Sequence, residues 1–298
     1  MKHLPDEVII VDSSSTDGTF DLAKRFPVKY LPIPERSRVK ARNVGCRHAA
    51  GDIIAYIDDD TVVQEDWSTH LLESYEDESI GGVGGRVLPY GVNKASFVPS
   101  KNYDVGKVFD DGMVLGNFDL PISRLIEVDT FIGCNMSFRR ELLMKIGGFD
   151  ENFKSNCFRE ESDICTRLKK SGYKLVYNSK ALVWHKWGKY KRGLIDYKWF
   201  YWTAYNHTYF YFKNFQPMTM RKIWRFFRRN LSPPLDYTKR MGVEIKVHPL
   251  IAPPVLLGVL SGIFNALKFT QKRCPPLSPS LSKPEISHRT KVEDMVHK

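Results

Sequence analysis

The stretch Ile53-Ile54-Ala55-Tyr56-Ile57-Asp58-Asp59-Asp60 decides the fold prediction, because a short apolar run passes directly into three acidic residues. Such a run is typical of a strand that is buried on both faces of a sheet. In an open parallel sheet, ligands bind beyond the carboxyl ends of the strands. Three adjacent carboxylates repel one another unless a cation joins them, and hard divalent cations prefer carboxylate oxygen. The sequence therefore predicts either a cation site, in which Asp58 and Asp60 face the same way, or a solvated acidic turn.

Strands and helices alternate on both sides of this run. The pattern predicts strands over residues 7–11, 29–33, 53–57, 82–88, 130–138, 174–177 and 181–184, and helices over residues 19–25, 37–50, 67–75, 141–146 and 160–170. This alternation predicts an α/β fold with a mostly parallel central sheet.

Composition and cysteine usage exclude several classes of protein. The chain has 298 residues, of which 42% are hydrophobic and 27% are charged, so it is neither wholly disordered nor collagen-like. Its five cysteines are an odd number and form no Cys-x-x-Cys pair, which argues against a zinc ribbon and a thioredoxin-like redox site. Free thiols favour a reducing compartment.

The net charge of +11 is concentrated in one basic and aromatic block. Residues 186–240 contain 13 Lys and Arg but only two acids, and residues 184–227 contain five of the six tryptophans. We predict helices over residues 194–215 and 219–229 of this block, and the block suits an anionic surface. Residues 249–267 carry no charge and are either a membrane span, a tilted or re-entrant anchor, or a buried helix. The tail after residue 272 is predicted to be disordered.

Six short motifs occur in an order that resembles family 2 glycosyltransferases of the GT-A fold, over about residues 7–215. They are IVDSSSTDGT at 10–19, ARNVG at 41–45, GDIIAYIDDD at 51–60, GCNMSFRR at 133–140, GGFDE at 147–151 and EESD at 160–163. The resemblance implies a GT-A catalytic domain over residues 1–190, with a nucleotide-sugar part (1–90) and an acceptor part (91–190). A basic-aromatic helical region (191–246), a hydrophobic membrane anchor (247–272) and a disordered tail (273–298) would follow.

The resemblance also implies roles for individual residues. Contacts with the nucleotide-sugar donor are expected from Asp12, Ser14, Arg38, Asn43, Asp58, Asp59, Gly133 and Asn135. Ligands to Mg²⁺ or Mn²⁺ are expected from Asp58, Asp60 and His185, although His185 could equally be a partly buried histidine in an aromatic cluster. Catalytic carboxylates are expected among Glu160, Glu161 and Asp163, with Glu161 as the general base. A further set, Asn206, Tyr209, Lys213 and Asn214, fits members that act on lipid-linked or cell-envelope acceptors.

The chain departs from the family pattern at two places. Only six residues precede Glu7, so we expect the first strand-helix unit of the family to be missing from this sequence. Either the start of the chain is misassigned or trimmed, or the protein is a degenerate member with an exposed strand edge. In addition, Glu161 stands where the family has an aspartate, so the side chain of the expected base is one methylene longer.

The function that we expect is metal-dependent, inverting transfer of a sugar from a nucleotide-diphosphate donor to a hydroxyl of a lipid-linked or cell-envelope glycan. The expected location is the cytoplasmic face of the cell membrane, and the expected partners do not include nucleic acid. The alternative is a non-catalytic, degenerate GT-A protein that acts as a membrane-associated binding module or scaffold.

Overall fold

A computed structural model describes residues 3–92, 104–186, 196–230, 252–269 and 275–278. Within these ranges the strands are β1 (Ile9–Ser13), β2 (Lys29–Ile33), β3 (Ile53–Tyr56), β4 (Thr61–Val63), β5 (Ile80–Pro89), β6 (Lys107–Val108), β7 (Val114–Leu115), β8 (Ile126–Glu127), β9 (Met136–Arg139) and β10 (Lys174–His185). The helices are α1 (Thr19–Ala23), α2 (Arg38–His48), α3 (Trp67–Glu73), α4 (Arg140–Lys145), α5 (Glu160–Lys170), α6 (Tyr197–Asn214), α7 (Met220–Asn230) and α8 (Ala252–Phe269).

The central sheet is mixed, which corrects the prediction of a mostly parallel sheet. Its strand order is β3-β9-β5-β10-β4, and β8 pairs with β10 beside this path. Among its described pairs of neighbouring strands, only β5 and β10 are parallel, because β9 enters between β3 and β5 and runs antiparallel to both. Strands β1 and β2 form a separate parallel pair.

Strand β3 lies at the edge of the six-stranded sheet, so the prediction that it is buried on both faces is wrong. Its pairing in the described chain is with β9. Ala55 is exposed, and Ile57 just beyond the strand is 47% exposed. The apolar run did predict the strand correctly, but its burial depends on a neighbour that sequence alone does not locate.

Strand β10 is one long strand where the sequence predicted two short ones. Its register with β5 shifts between Asn178 and Leu182, so an irregularity bridges the two predicted segments. The amide of Asn135 fills this irregularity by donating to the carbonyl oxygens of Arg86 (3.0 Å) and Ala181 (2.9 Å). A Cβ at Gly85 would lie 2.3 Å from that amide nitrogen, which explains the glycine there. The predicted strand over residues 130–138 is also shorter, because only its end forms β9.

The C-terminal helices pack on the α/β unit. A buried ionic cluster joins α5 to α6, and Phe226 of α7 packs between Tyr211 and His207 of α6. No helix in the described part of the chain is both long enough and apolar enough to cross a bilayer. Residues 191–195 and 231–246 of the predicted basic region, and residues 247–251 and 270–272 of the predicted anchor, lie outside the described residues.

Four residues of the predicted disordered tail, 275–278, have a defined place in the fold. The backbone N–H of Leu277 donates to the carbonyl oxygen of Met144 at 2.9 Å, and its side chain packs beside Gly148. The prediction of disorder is therefore wrong for these four residues, because one leucine finds an apolar site next to α4. The rest of the tail lies outside the described residues.

Candidate active site at the end of strand β3

Two aspartates and a histidine converge where β3 ends. Strand β4 pairs antiparallel with β10, which aligns Thr61 with His185 and places the histidine beside the acidic run. The His185 Nε2 atom lies 3.1 Å from Asp60 Oδ1 and 3.6 Å from Asp58 Oδ2. Asp59, between the two, is exposed, as expected when alternate residues face opposite ways. The structure therefore favours the predicted cation-binding cluster over a solvated turn.

The side chains of this cluster are of the types that bind a divalent metal ion. Two carboxylates and an imidazole are donors that Mg²⁺ and Mn²⁺ accept, and the side chains of Asp58 and Asp60 keep 31% and 42% of their surface exposed. Cys134 adds a buried thiol, since its sulfur lies within 4.8 Å of ligand atoms of Asp58 and His185. Burial, and next the charge of Asp58, raises the pKa of this thiol to about 12.

Arg42 connects the aspartate cluster to the helix that carries the candidate base. Its guanidinium is buried and lies over the rings of Phe149 and Tyr56, with centroid distances of 5.4 and 5.9 Å. The Arg42 Nη2 atom lies 3.6 Å from Asp58 Oδ1 and donates to the carbonyl oxygen of Gly133 at 3.0 Å. Its Nη1 atom donates to Glu160 Oε1 at 2.5 Å. Sequence analysis missed this residue, although it stands inside the ARNVG motif.

Glu160 is a buried carboxylate at the start of α5. It is only 1% exposed, and Arg38 approaches the same Oε1 atom at 3.6 Å. Burial raises the pKa of Glu160 to about 7, against the opposing effect of the Arg42 charge. Its Oε2 atom has no hydrogen-bond partner among the described residues. Arg159, which precedes it, has a φ of 75°, so the backbone turns sharply into the helix.

The two other predicted catalytic carboxylates lie in different surroundings. Glu161 is half-buried at the start of α5, beside Glu160. Asp163 is fully buried and pairs with Lys213 at 2.7 Å, with Arg167 at 2.9 Å and with the Asn214 amide at 2.8 Å. The structure therefore does not present Asp163 to a substrate, and this part of the prediction is corrected.

Asp12 and Ser14 lie at the end of β1, on the separate two-stranded sheet. Asp12 accepts hydrogen bonds from the backbone N–H of Ser15 (2.8 Å) and from the hydroxyl of Tyr30. The bond from Tyr30 lowers the pKa of Asp12, and the same bond raises the pKa of Tyr30 to about 12. Ser14 donates to the carbonyl oxygen of Ile33 at 3.0 Å. The Asp12 carboxylate is thus held ionised and in a fixed position.

Asn43 and Asn135 were predicted to contact the donor, but both side chains are buried and used by the protein itself. The amide of Asn43 exchanges hydrogen bonds with the backbone of Phe149, at 2.8 and 2.9 Å. Besides its two bonds at the β10 irregularity, Asn135 accepts a bond from the Trp67 indole at 3.0 Å. Their exposed fractions are 1% and 0%, so the structure assigns them to packing.

The comparisons with known proteins agree with this geometry. Residues 1–147 match the family described as "Glycosyl transferase family 2", and residues 121–191 match "N-terminal domain of galactosyltransferase". Residues 1–147, which make up just under half of the chain, therefore belong to glycosyl transferase family 2.

Curated relatives of this family 2 chain are glycosyltransferases by name. It is 30% identical over 158 residues to the glucosyl-dolichyl phosphate glucuronosyltransferase of Haloferax volcanii, covering 51% of this chain and 48% of the relative. It is 24% identical over 187 residues to the O-antigen chain rhamnosyltransferase WbaN of Salmonella anatum, covering 61% and 56%. The chain thus spans about half the length of these two curated relatives.

Solved structures confirm the GT-A α/β fold of the family 2 chain. The structure of Staphylococcus aureus TarS in complex with UDP-GlcNAc matches with a TM-score of 0.54 at 16% identity, covering 90% of this chain and 72% of that one. GalNAc-T7 with UDP, GalNAc and Mn²⁺ matches with a TM-score of 0.50 at 15% identity, covering 80% and 52%.

The two overlapping sequence matches each contain some of the residues of the candidate site. The family 2 match contains Asp58, Asp60 and Arg42 but ends before α5. The second match contains Glu160 and His185. The site is therefore assembled across both segments, by the pairing of β4 with β10 and by the contact of Arg42 with Glu160.

Proposed function

We propose that this chain is an inverting glycosyltransferase that moves a sugar from a nucleotide-diphosphate donor to an acceptor hydroxyl. The observation that carries the proposal is the convergence of Asp58, Asp60 and His185, linked through Arg42 to the Glu160 carboxylate of α5. Structures of similar fold support it, since TarS was solved with UDP-GlcNAc and GalNAc-T7 with UDP, GalNAc and Mn²⁺.

The residues of the chain divide the work of donor binding. Asp12, held ionised by Tyr30, would accept a hydrogen bond from the base of the nucleotide, and Asp59, which is exposed, would contact the donor. Asp58, Asp60 and His185 would hold Mg²⁺ or Mn²⁺. A bound divalent ion would neutralise charge on the departing nucleoside diphosphate without a proton transfer. Arg42 adds a fixed positive charge in a buried setting, where its effect on an anion is strong.

Proton removal from the acceptor hydroxyl is assigned to Glu161. Its neighbour Glu160 is only 1% exposed and its Oε1 atom binds two arginines, so an incoming hydroxyl reaches Glu161 more readily. Glu160 then acts as the residue that holds Arg42 in place. A carboxylate within hydrogen-bond reach of the attacking hydroxyl can accept its proton as the new glycosidic bond forms.

The acceptor that we propose is a lipid-linked or cell-envelope glycan, and the process is polysaccharide biosynthesis at the cytoplasmic face of the cell membrane. The names of the relatives support this choice, because they include a glucosyl-dolichyl phosphate glucuronosyltransferase, an O-antigen chain rhamnosyltransferase and the poly-β-1,6-N-acetyl-D-glucosamine synthase of S. aureus.

The experiment that tests the proposal measures donor binding and sugar release with matched variants. Binding of UDP, GDP and dTDP is measured by calorimetry with Mn²⁺. Turnover is then measured as release of the nucleoside diphosphate from the corresponding nucleotide-sugars. We expect Asp60→Ala to abolish metal-dependent binding, whereas Asp52→Ala, an exposed aspartate at the opposite end of β3, leaves it unchanged. If none of the nucleotides binds the wild-type chain, the scaffold alternative replaces this proposal.

The same assay separates the two glutamates at the start of α5. Glu161→Gln is expected to retain nucleotide binding and lose turnover by on the order of 10²- to 10⁴-fold. Glu160→Gln keeps a side chain of the same shape beside Arg42 and should retain more of the turnover. Unchanged turnover in Glu161→Gln would contradict its assignment as the base.

A further inference from the structure

Helix α8 carries a strip of solvent-exposed apolar side chains. Its large apolar side chains are 52–67% exposed and recur at helical spacing: Leu256, Leu257, Leu260, Phe264 and Leu267. The opposite face of the helix packs on α6, where a Cβ at Gly258 would lie 2.4 Å from the Tyr201 carbonyl oxygen and one at Gly262 would lie 2.6 Å from that of Tyr205. Since only the glycine face can approach α6 this closely, the strip is fixed outwards.

Helix α7 exposes a strip of a different kind. The side chains on its outer face are three arginines around one tryptophan: Arg221, Trp224, Arg225 and Arg228. Trp224 is 60% exposed, and the Arg228 guanidinium lies 5.2 Å from the centre of its ring. The inner face is anchored by Phe226, which is 1% exposed. A surface of this composition, without an acidic side chain in the described helix, attracts anions.

The two helices that carry these strips both pack on α6. Phe226 of α7 stacks on Tyr211 at 4.5 Å and on His207 at 5.5 Å. Helix α8 contacts the flank that includes Tyr201 and Tyr205. Exposed apolar patches of this extent on a soluble surface mark interaction sites.

We propose that α7 and α8 together form a docking surface for an anionic lipid bilayer, with α8 lying in the plane of the membrane interface. The apolar strip of α8 enters the boundary between headgroups and acyl chains, while the arginines of α7 contact lipid phosphates and Trp224 sits at headgroup depth. Charge complementarity selects this occupant, since the sequence concentrates its net charge of +11 in residues 186–240.

This docking surface deepens the proposed function, on which it rests for its purpose. Helix α6 holds both surface helices and is joined to α5 through the pair Lys213–Asp163. Because α5 also carries Glu161, a bilayer bound to α7 and α8 would hold the candidate base at a fixed height above the membrane. A lipid-linked acceptor could then meet the site while its lipid stays in the bilayer.

The test is sedimentation of the full chain with vesicles of phosphatidylcholine, with and without about one third phosphatidylglycerol. The wild type is expected to bind the anionic vesicles, and more weakly the neutral ones. The triple variant Leu257→Gln, Leu260→Gln, Phe264→Gln should bind about 100-fold more weakly. The matched control Leu22→Gln, Phe26→Gln, Leu72→Gln changes side chains that are also exposed, at 55%, 50% and 39%, and should bind like the wild type.

Two further variants make the outcome unambiguous. Replacing Arg221, Arg225 and Arg228 by serine should weaken binding to anionic vesicles by on the order of 100-fold, with little change for neutral ones. Asp60→Ala should bind vesicles like the wild type, so that a failure of catalysis and a failure of docking are distinguished. Equal binding by the α8 variant and its control would overturn the proposal. So would a wild-type dimer in solution that the α8 variant dissociates, because a second copy would then cover the strip.

Discussion

Replacing Lys213 by methionine is expected to lower the free energy of unfolding far more than replacing Lys174 by methionine. The Lys213 ammonium lies between two buried carboxylates, 2.6 Å from Asp150 Oδ2 and 2.7 Å from Asp163 Oδ1. The side chains of Asp150 and Asp163 are 3% and 0% exposed. Methionine preserves most of the volume but leaves both carboxylates without their shared cation.

The magnitude follows from this burial. Removing one partner of a buried ion pair costs about 3–5 kcal/mol, because the remaining charge cannot return to water. Arg167 and Asn214 still bind Asp163, and Tyr209 still donates to Asp150 at 2.8 Å, so we expect the lower part of that range. Lys174→Met is the matched control, because its partner Asp77 lies 3.4 Å away and both side chains are about half exposed. The control should lose less than about 0.5 kcal/mol.

The assay is urea unfolding followed by far-UV circular dichroism, with wild type, Lys213→Met and Lys174→Met measured side by side. A loss below about 1 kcal/mol for Lys213→Met, or a loss equal to that of the control, would refute the argument from burial.

An independent test measures stability as a function of pH. Burial alone would raise the pKa of Asp163, but the charges of Lys213 and Arg167 outweigh it and hold that pKa at about 2. This pKa is below the ordinary 3.8, so ionised Asp163 stabilises the fold by about 2 kcal/mol above about pH 4. The stabilisation is lost as the pH falls towards 2, where Asp163 takes up a proton. Asp163→Asn should lack this acid-dependent loss.

Three other outcomes follow from the described contacts. Arg42→Gln removes the cation shared by Asp58 and Glu160 and should lower kcat by about 10²-fold in a sugar-transfer assay. A change in KM with kcat unaltered would contradict this role. Gly262→Leu forces a Cβ against the backbone of α6, so thermal unfolding should show a loss of about 1–3 kcal/mol, and an unchanged midpoint would disprove the close packing. Asn135→Ala deletes three buried hydrogen bonds and should cost about 3 kcal/mol in urea unfolding while adding no defect specific to nucleotide affinity; a selective loss of nucleotide affinity would restore it as a donor contact.

Local sequence patterns predicted most helices and strand β3 at the site, but they did not predict β4. The helix over residues 160–170 and the strand over residues 29–33 were predicted with the bounds that the structure shows. These segments succeed because apolar spacing and glycine or proline stops act within one element. The acidic run after β3 and His185 were also found from sequence, and the structure brings them together.

The failures have a common cause, which is that a side chain's partner lies far along the chain. Arg42 looked like an ordinary helix residue until the fold placed it against Glu160, 118 positions later. Asn135 and Asp163 carry polar groups suited to ligands, yet both are bonded inside the protein. Asn135 bonds to α3, β5 and β10, and Asp163 bonds to α6 and to Arg167 of its own helix.

The sequence by itself determined most helices and longer strands, the resemblance to the family, and the residue types that can bind a metal ion or accept a proton. Only the tertiary structure decided which carboxylates face solvent, which are neutralised inside the protein, and that β4 delivers His185 to Asp60. The physical reason is that periodicity is a local property of the chain, whereas burial and charge pairing depend on contacts between segments that are distant in sequence.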